Sequence, residues 1–201
     1  YVPGQELVSF NLKSLGTSMG HALQKLVLGL LVARPQCRIV LNLGNNPIEE
    51  GIESWSRRLP ETLRCRLCLT NFLRLGAYRD LLCASTVHIC PDATASLPLS
   101  GLEAMSCGTV LMTPVSERAR ALSFLKPGEN MLEFPETGPE EQLEAVLHAL
   151  EYPRECAAIR RKGREAVVAA HSPQILVPAH VAPLMTEYRK YTSQTGNRIR
   201  V

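Results

Sequence analysis

The residues best suited to chemistry lie in the segment 87–110, where a serine and a glutamate stand three positions apart at an expected helix start. An apolar run over 87–91 leads through small residues to Ser100-Gly101 and Glu103, and a glycine at 108 ends the helical pattern. First-turn N–H groups have no partner inside a helix, and with the positive end of the helix dipole they attract anions. Ser100 and Glu103 also fit a capping box, which needs no ligand. The residues alone therefore leave both a phosphate-binding helix start and a structural cap open.

Other residues with suitable side chains or backbones give weaker signals. Lys13 follows the first apolar run, where it is either a phosphate contact or a solvated loop lysine. The glycine-containing segment 16–20 stands at a helix entrance and fits a phosphate, an acceptor group or an ordinary turn. His21 lies beside it, with no carboxylate neighbour to orient the ring. His88 lies inside an apolar run, so we expect it to be buried rather than catalytic. No serine-nucleophile elbow or Walker-type loop occurs.

The seven cysteines indicate free thiols in a reducing compartment, because their number is odd and several lie inside apolar runs. Cys65 and Cys68 form a C-x-x-C pair, but the alternation over 64–69 predicts a strand with the two sulfurs on opposite faces. No second C-x-x-C or histidine pair follows, and the sequence has no carboxylate cluster suited to Mg²⁺. We therefore expect no metal and no cofactor.

Length and composition indicate one ordinary globular domain: 201 residues, 45% hydrophobic and 20% charged. The net charge of +3 is small and the basic residues are dispersed, so we expect no nucleic-acid partner. The longest apolar run, Leu26–Ala33, is much shorter than the roughly 20 residues of a transmembrane helix. The chain opens at Tyr1 without a methionine, which predicts a piece of a longer protein.

Short β-rich runs alternate with helical patterns along the chain. This alternation predicts right-handed β-α-β crossovers in a Rossmann-like, three-layer α/β/α domain with a mostly parallel sheet. The predicted domain covers 1–172, and a C-terminal helical segment, 173–201, packs on it or crosses from it. The predicted strands are Glu6–Leu12, Arg38–Leu43, Arg64–Thr70, Val87–Pro91, Thr109–Pro114 and Met131–Phe134. Helices are predicted near 17–34, 47–59, 74–85, 100–107, 115–122, 138–151, 153–170 and 179–192.

The segment Glu103-Ala104-Met105-Ser106-Cys107-Gly108-Thr109 resembles the donor-site signature of retaining glycosyltransferases of the GT-B fold, in the group 1, family 4-like set. The similarity extends to the helix pattern over 75–85, the glycine-asparagine turn over 124–132 and the closing helices, including 140–146 and Gly163-Arg164. It covers roughly Arg38 to Ser172. The resemblance implies that the chain is the C-terminal, donor-binding half of such an enzyme.

The same resemblance assigns roles to individual residues. Glu103 would accept hydrogen bonds from the ribose hydroxyls of a nucleotide, and the backbone of Leu99, Ser100 and Gly101 would hold the donor's diphosphate. Lys13 is the basic residue available to neutralise the phosphates, where the family supplies an arginine and a lysine. A second family glutamate, eight residues before the first, corresponds here to Ala95, and the nearest carboxylate is three residues earlier, at 92. No catalytic residue is assigned.

The function expected from this resemblance is binding of a nucleotide-diphosphate sugar for retaining hexosyl transfer to an acceptor hydroxyl. The acceptor would lie on an N-terminal domain or subunit outside this chain, which alone would be inactive. The location expected is the cytoplasm or the cytosolic face of a membrane. Because Ala95 and the missing basic pair depart from the family, a degenerate module with a binding or scaffolding role is the alternative. A sugar-nucleotide epimerase would need carboxylates and a histidine that the sequence does not place. The sequence does not determine which nucleotide base, sugar or acceptor is used.

Overall fold

The computed structural model describes residues 6–12, 17–43, 50–71, 73–91, 99–115 and 124–195. Within them, six strands alternate with helices and three further helices follow the last strand. The strands are β1 (Glu6–Asn11), β2 (Cys37–Asn42), β3 (Leu67–Thr70), β4 (Val87–Ile89), β5 (Val110–Thr113) and β6 (Leu132–Glu133). The helices are α1 (Thr17–Ala33), α2 (Glu50–Arg58), α3 (Glu61–Arg64), α4 (Leu75–Ala84), α5 (Leu99–Ser106), α6 (Pro139–Glu151), α7 (Pro153–His171) and α8 (Pro173–Thr195).

The six strands form one sheet in the order β3-β2-β1-β4-β5-β6, and every pairing between them is parallel. The order runs outward in both directions from the central pair, in which Val8 lies opposite Val87 and Phe10 opposite Ile89. Crossover connections place the helices on both faces of the sheet. The predicted Rossmann-like α/β class is confirmed. The carboxyl ends of β1 and β4 meet where the strand order reverses, which is where ligands bind in such sheets.

Side chains that alternate along the strands pack into two separate hydrophobic cores. One core packs β1, β2, β4 and β5 residues such as Phe10, Ile39 and Ile89 against helices α1 and α6. The smaller core joins Leu111 of β5 to Met105 of α5 and to α7. Met105 of α5 lies in this second core, and Ser100 and Gly101 at the start of the helix are also buried, so that start is held against the sheet rather than projecting from it.

Two sequence predictions need correction. The predicted strand Arg64–Thr70 begins later, at Leu67, because Pro60 precedes the short helix α3 and Cys65 lies in the turn after it. The argument that Cys65 and Cys68 alternate along one strand is therefore wrong, although both thiols are free and exposed. The last helix, predicted over 179–192, begins at Pro173 and continues through Pro178 and Pro183. Both prolines are exposed, so water surrounds the positions at which a proline removes a helical hydrogen bond. The helix predicted at 115–122 falls almost entirely outside the described residues.

A buried polar chain crosses the sheet near the start of β4. The Ser85 hydroxyl donates to the Leu81 carbonyl, at 2.8 Å, so it accepts the proton of Ser9 Oγ, also at 2.8 Å. Ser9 Oγ in turn accepts from Nδ1 of His88, at 2.8 Å. His88 is therefore the Nδ1–H tautomer, and its Nε2 has no hydrogen-bond partner among the described residues. The prediction that His88 is buried is confirmed.

No helix within the described residues is both long and apolar enough to cross a bilayer.

Candidate functional site

The start of α5 lies beside the carboxyl end of β4. Ser100 Oγ is 3.5 Å from the Sγ of Cys90, the residue that follows β4. The Thr113 hydroxyl, at the end of β5, donates to the Cys90 carbonyl at 2.9 Å. Parallel strands end at a common edge, so these contacts place the first turn of α5 at the edge where β1 and β4 also end. A helix start that faces this edge is suitably placed for an anionic ligand.

The structure brings together four of the five residues predicted to bind the donor. Leu99 is the first residue of α5 and is 69% exposed, whereas Ser100 is 4% exposed and Gly101 is buried. Glu103 lies one turn further along α5 with an exposed side chain. The helix therefore presents backbone N–H groups in its first turn and a carboxylate in its second. Lys13, Ala95 and the carboxylate at 92 lie outside the described residues.

This arrangement offers a nucleotide diphosphate two kinds of contact. The N–H groups of the first turn have no acceptor within the helix, and the helix dipole adds a partial positive charge there. An ionised carboxylate carries only acceptor oxygens, and two of them can accept from vicinal hydroxyls at once. The described residues of α5 therefore fit an anion followed by a diol, in the order in which a nucleoside diphosphate presents them.

A cavity of about 210 Å³ opens at the same edge of the sheet, on the side of α1 and α6. Leu12 follows β1, Pro91 and Pro114 follow β4 and β5, and Phe134 follows β6. Gln142 of α6 also lines the cavity, where its Nε2 donates to the Pro135 carbonyl at 3.0 Å. The edge of the sheet thus has a predominantly apolar recess whose wall also carries the amide of Gln142 and the carboxylate residue Glu136.

Tyr78 lies on α4, which packs against α5, and no sequence motif includes it. Its hydroxyl is buried and has no hydrogen-bond partner among the described residues. Burial raises the pKa of Tyr78, and the negative charge of Glu103 raises it further. The Ser100 hydroxyl is near enough to lower that pKa, yet it does not lie in hydrogen-bonding geometry. A lone tyrosine within a helical pattern gives no sequence signal for this position, because its burial depends on how α4 packs against α5.

The two candidate histidines occupy different environments. His21 lies in the second turn of α1 with an exposed side chain. His88 is fully buried in β4, and burial lowers its pKa to about 3. His88 is therefore neutral at physiological pH. In the part of the chain that the structure describes, no cluster of three or more histidine, cysteine or acidic side chains could hold a metal ion.

Comparison with protein families identifies the chain. The model of the glycosyl transferase-like family matches residues 53–176, which include β3, β4, α5 and the helices to α7. The chain belongs to the glycosyl transferase-like family. The match covers more than half of the chain and contains Ser100, Gly101 and Glu103. The resemblance to group 1 glycosyltransferases of the GT-B type is thereby confirmed. No curated protein sequence matches the chain.

Solved structures share the fold of this glycosyl transferase-like chain at low sequence identity. Sucrose-phosphate synthase from Thermosynechococcus elongatus has a TM-score of 0.65 at 19% identity, covering 96% of this chain and 47% of its own. HepE from Anabaena, solved with UDP and glucose, has a TM-score of 0.70 at 14% identity, and the match covers 91% of this chain and 49% of HepE. The C-terminal domain of a group 1 glycosyl transferase from Francisella tularensis has a TM-score of 0.67 at 11% identity. That match covers 85% of this chain and 88% of the Francisella domain. The chain thus spans about half the length of the first two proteins.

Proposed function

We propose that this chain is the donor-binding half of a glycosyltransferase and binds a nucleotide-diphosphate sugar at the carboxyl edge of its sheet. The observation that carries the proposal is the position of α5: its first turn and Glu103 lie where the strand order reverses, inside the segment that matches the family. The diphosphate binds the N–H groups of Leu99, Ser100 and Gly101. The ribose hydroxyls donate to the carboxylate of Glu103.

This geometry supports catalysis by electrostatic stabilisation. When the bond between the sugar and the diphosphate breaks, negative charge grows on the diphosphate. The N–H dipoles at the start of α5 are already oriented, so they stabilise that charge without reorganising. Lys13 supplies a positive charge to the same phosphates. No metal or cofactor is required for this step, since the helix start and the lysine together supply the positive charge.

A second domain completes the enzyme in this proposal. The chain covers about half of sucrose-phosphate synthase and of HepE, and it matches most of a C-terminal domain. The acceptor therefore binds an N-terminal domain or subunit, and the sugar crosses the cleft between the two with retention of configuration. The chain alone binds the donor without transferring it. The reaction takes place in the cytoplasm or at the cytosolic face of a membrane.

A degenerate, non-catalytic module is the second candidate. Ala95 stands where the family has a glutamate near the transferred sugar, and one lysine stands where the family has an arginine and a lysine. An alanine cannot hydrogen-bond a sugar hydroxyl, and one basic residue neutralises less phosphate charge than two. Such a module would keep the fold for binding or scaffolding.

Calorimetric titration with UDP, GDP and ADP, and with their sugars, tests the proposal. We expect one nucleotide to bind, and Glu103→Ala to abolish detectable binding without unfolding the chain, since Glu103 is exposed. Glu144→Ala is the matched control, because Glu144 is an exposed helical glutamate on α6. If no nucleotide binds the folded chain, or if Glu103→Ala binds as tightly as the wild type, the donor-site assignment is wrong.

A further inference from the structure

A second cavity, of about 330 Å³, lies where the amino ends of β1, β2 and β3 meet, at the edge of the sheet opposite to the proposed donor site. Glu6 and Leu7 begin β1, Arg38 is the second residue of β2, and Leu67 begins β3. Ala84, the last residue of α4, also lines the cavity. Binding sites for small molecules measure roughly 300–1,000 Å³, so this cavity is large enough for a small ligand.

The wall of this cavity is mainly apolar and belongs to the face of the sheet away from α1. Leu7 pairs with Arg38 in the register of β1 and β2, and Val40 pairs with Cys68 in that of β2 and β3. Paired residues of parallel strands point to the same face, and alternation sends Ile39, between Arg38 and Val40, into the core with α1. Leu7 and Val40 are half-buried and Cys68 is exposed, so the described helices leave this part of the sheet incompletely covered.

The charged groups around the cavity differ in whether they have partners. The Glu6 carboxylate is bound by the Arg34 guanidinium, which donates from Nε at 3.1 Å to one oxygen and from Nη2 to the other. The Arg66 guanidinium donates to the carbonyls of Leu31, at 2.6 Å, and Arg34, at 3.0 Å. The guanidinium of Arg38 is exposed, and no hydrogen bond or ion pair joins it to another described residue. The cavity therefore presents one guanidinium with free donors beside an apolar wall.

We propose that this cavity binds a small amphiphilic anion, namely a medium-chain carboxylate, whose head is held by the Arg38 guanidinium and whose tail packs on Leu7, Val40 and Ala84. The planar fork of an arginine donates two parallel hydrogen bonds to a carboxylate. The tail gains free energy from the apolar surface that it removes from water, and a tail of about ten carbons suits the lower end of the size range of such sites. The ligand lies away from α5, so its binding is independent of nucleotide binding at the donor site.

The Cys68 thiol reports whether the cavity is occupied, because it is free, exposed and part of the lining. The whole chain is alkylated with N-ethylmaleimide, with and without decanoate, and each modified cysteine is quantified by peptide mass spectrometry. Saturating decanoate should slow alkylation of Cys68 by at least about fivefold. Cys83 is the internal control, since it is an exposed thiol of α4 outside the lining, and its rate should not change.

Two further arms test the recognition of the charge. Decanol has the same tail without the carboxylate, so it should slow alkylation of Cys68 by no more than about twofold. Arg38→Met keeps an apolar stem and removes the guanidinium, so half-protection of Cys68 should require about tenfold more decanoate. Arg154→Met is the matched control, because Arg154 is an exposed arginine at the start of α7, outside the lining, and this variant should behave as the wild type.

Three results would each overturn the proposal. The first is an alkylation rate of Cys68 that decanoate does not change, and the second is equal protection by decanol in the wild type, which needs no variant. The third is protection of Arg38→Met at the same decanoate concentration as the wild type. UDP binding measured on the same samples separates this cavity from the donor site, since Arg38→Met should leave the UDP affinity unchanged.

Discussion

Ser100 Oγ lies 3.5 Å from Cys90 Sγ, ten residues earlier in the chain. The contact joins the first turn of α5 to the end of β4 and so sets the direction in which the first-turn N–H groups point. A thiol and a hydroxyl make a weak hydrogen bond, but both residues are almost fully buried. The helix start is thereby fixed by packing on the sheet edge before any ligand binds, as preorganised anion sites require.

Leu99→Pro should weaken binding of the nucleotide about tenfold or more. Proline is accepted at the first position of a helix, so the substitution removes one N–H group and leaves α5 in place. A lost hydrogen bond to a charged group corresponds to about 1.5–3 kcal/mol. Leu99→Ala keeps the N–H and truncates a mostly exposed side chain, so it should bind within about twofold of the wild type. Equal affinities of the two variants in a calorimetric titration would contradict backbone binding of the diphosphate.

Acid should destabilise the fold through His88. Burial lowers its pKa to about 3 in the folded state, against about 6.5 when unfolded, so the unfolded chain binds more protons between these values. The stability contributed by neutral His88 is thus complete above pH 6.5 and is lost as the pH falls. Urea unfolding should show about 2 kcal/mol more loss between pH 7 and pH 5 in the wild type than in His88→Gln. Parallel pH profiles for the two proteins would disprove this account.

Gly163→Ala should lower the free energy of unfolding by about 1–3 kcal/mol. A Cβ at Gly163 of α7 would lie 2.7 Å from the backbone carbonyl oxygen of Asn130, which cannot rotate away as a side chain would. Gly51→Ala in α2 is the matched control, because its Cβ would meet nothing within 4 Å. That control should be neutral or stabilising by up to about 1 kcal/mol. Equal denaturation midpoints for both variants would show that α7 is less closely packed than described.

Arg66→Met should destabilise the chain by about 1–3 kcal/mol. The Arg66 guanidinium donates to the carbonyls of Leu31, at 2.6 Å, and Arg34, at 3.0 Å, so it satisfies the last turn of α1. Arg57→Met removes a highly exposed ion pair with Glu53 and should change stability by no more than about 0.5 kcal/mol. Chemical denaturation measures the free energy of unfolding of both variants. Similar losses in Arg66→Met and Arg57→Met would argue against capping by Arg66.

Local patterns were sufficient to predict the fold class because β-rich runs alternate with helical patterns along most of the chain. They failed at 64–70, where Arg64, Cys65 and Arg66 alternate like a strand but follow Pro60, which favours the helical turn of α3. They also failed at Pro178, because a proline stops a helix less effectively when its neighbours face water.

In the candidate site, too, local spacing predicts some features and helix packing determines others. That Ser100, Gly101 and Glu103 lie on one helix was predictable from their spacing, and their roles in binding the donor stay predictions. The burial of the Tyr78 hydroxyl was not predictable, because it arises only when α4 packs on α5. Lys13 and Ala95 lie in parts of the chain outside the described residues, so their assignments stay predictions.

The most direct test of the donor site is an amide ¹H–¹⁵N titration of the whole chain with UDP, GDP and ADP. We predict that one nucleotide shifts the amide signals of Ser100 and Gly101 most strongly, and that these shifts disappear in Glu103→Ala. Amide signals on α8, far along the chain from this edge, should stay in place. Unmoved signals for Ser100 and Gly101 at saturating nucleotide would contradict the account.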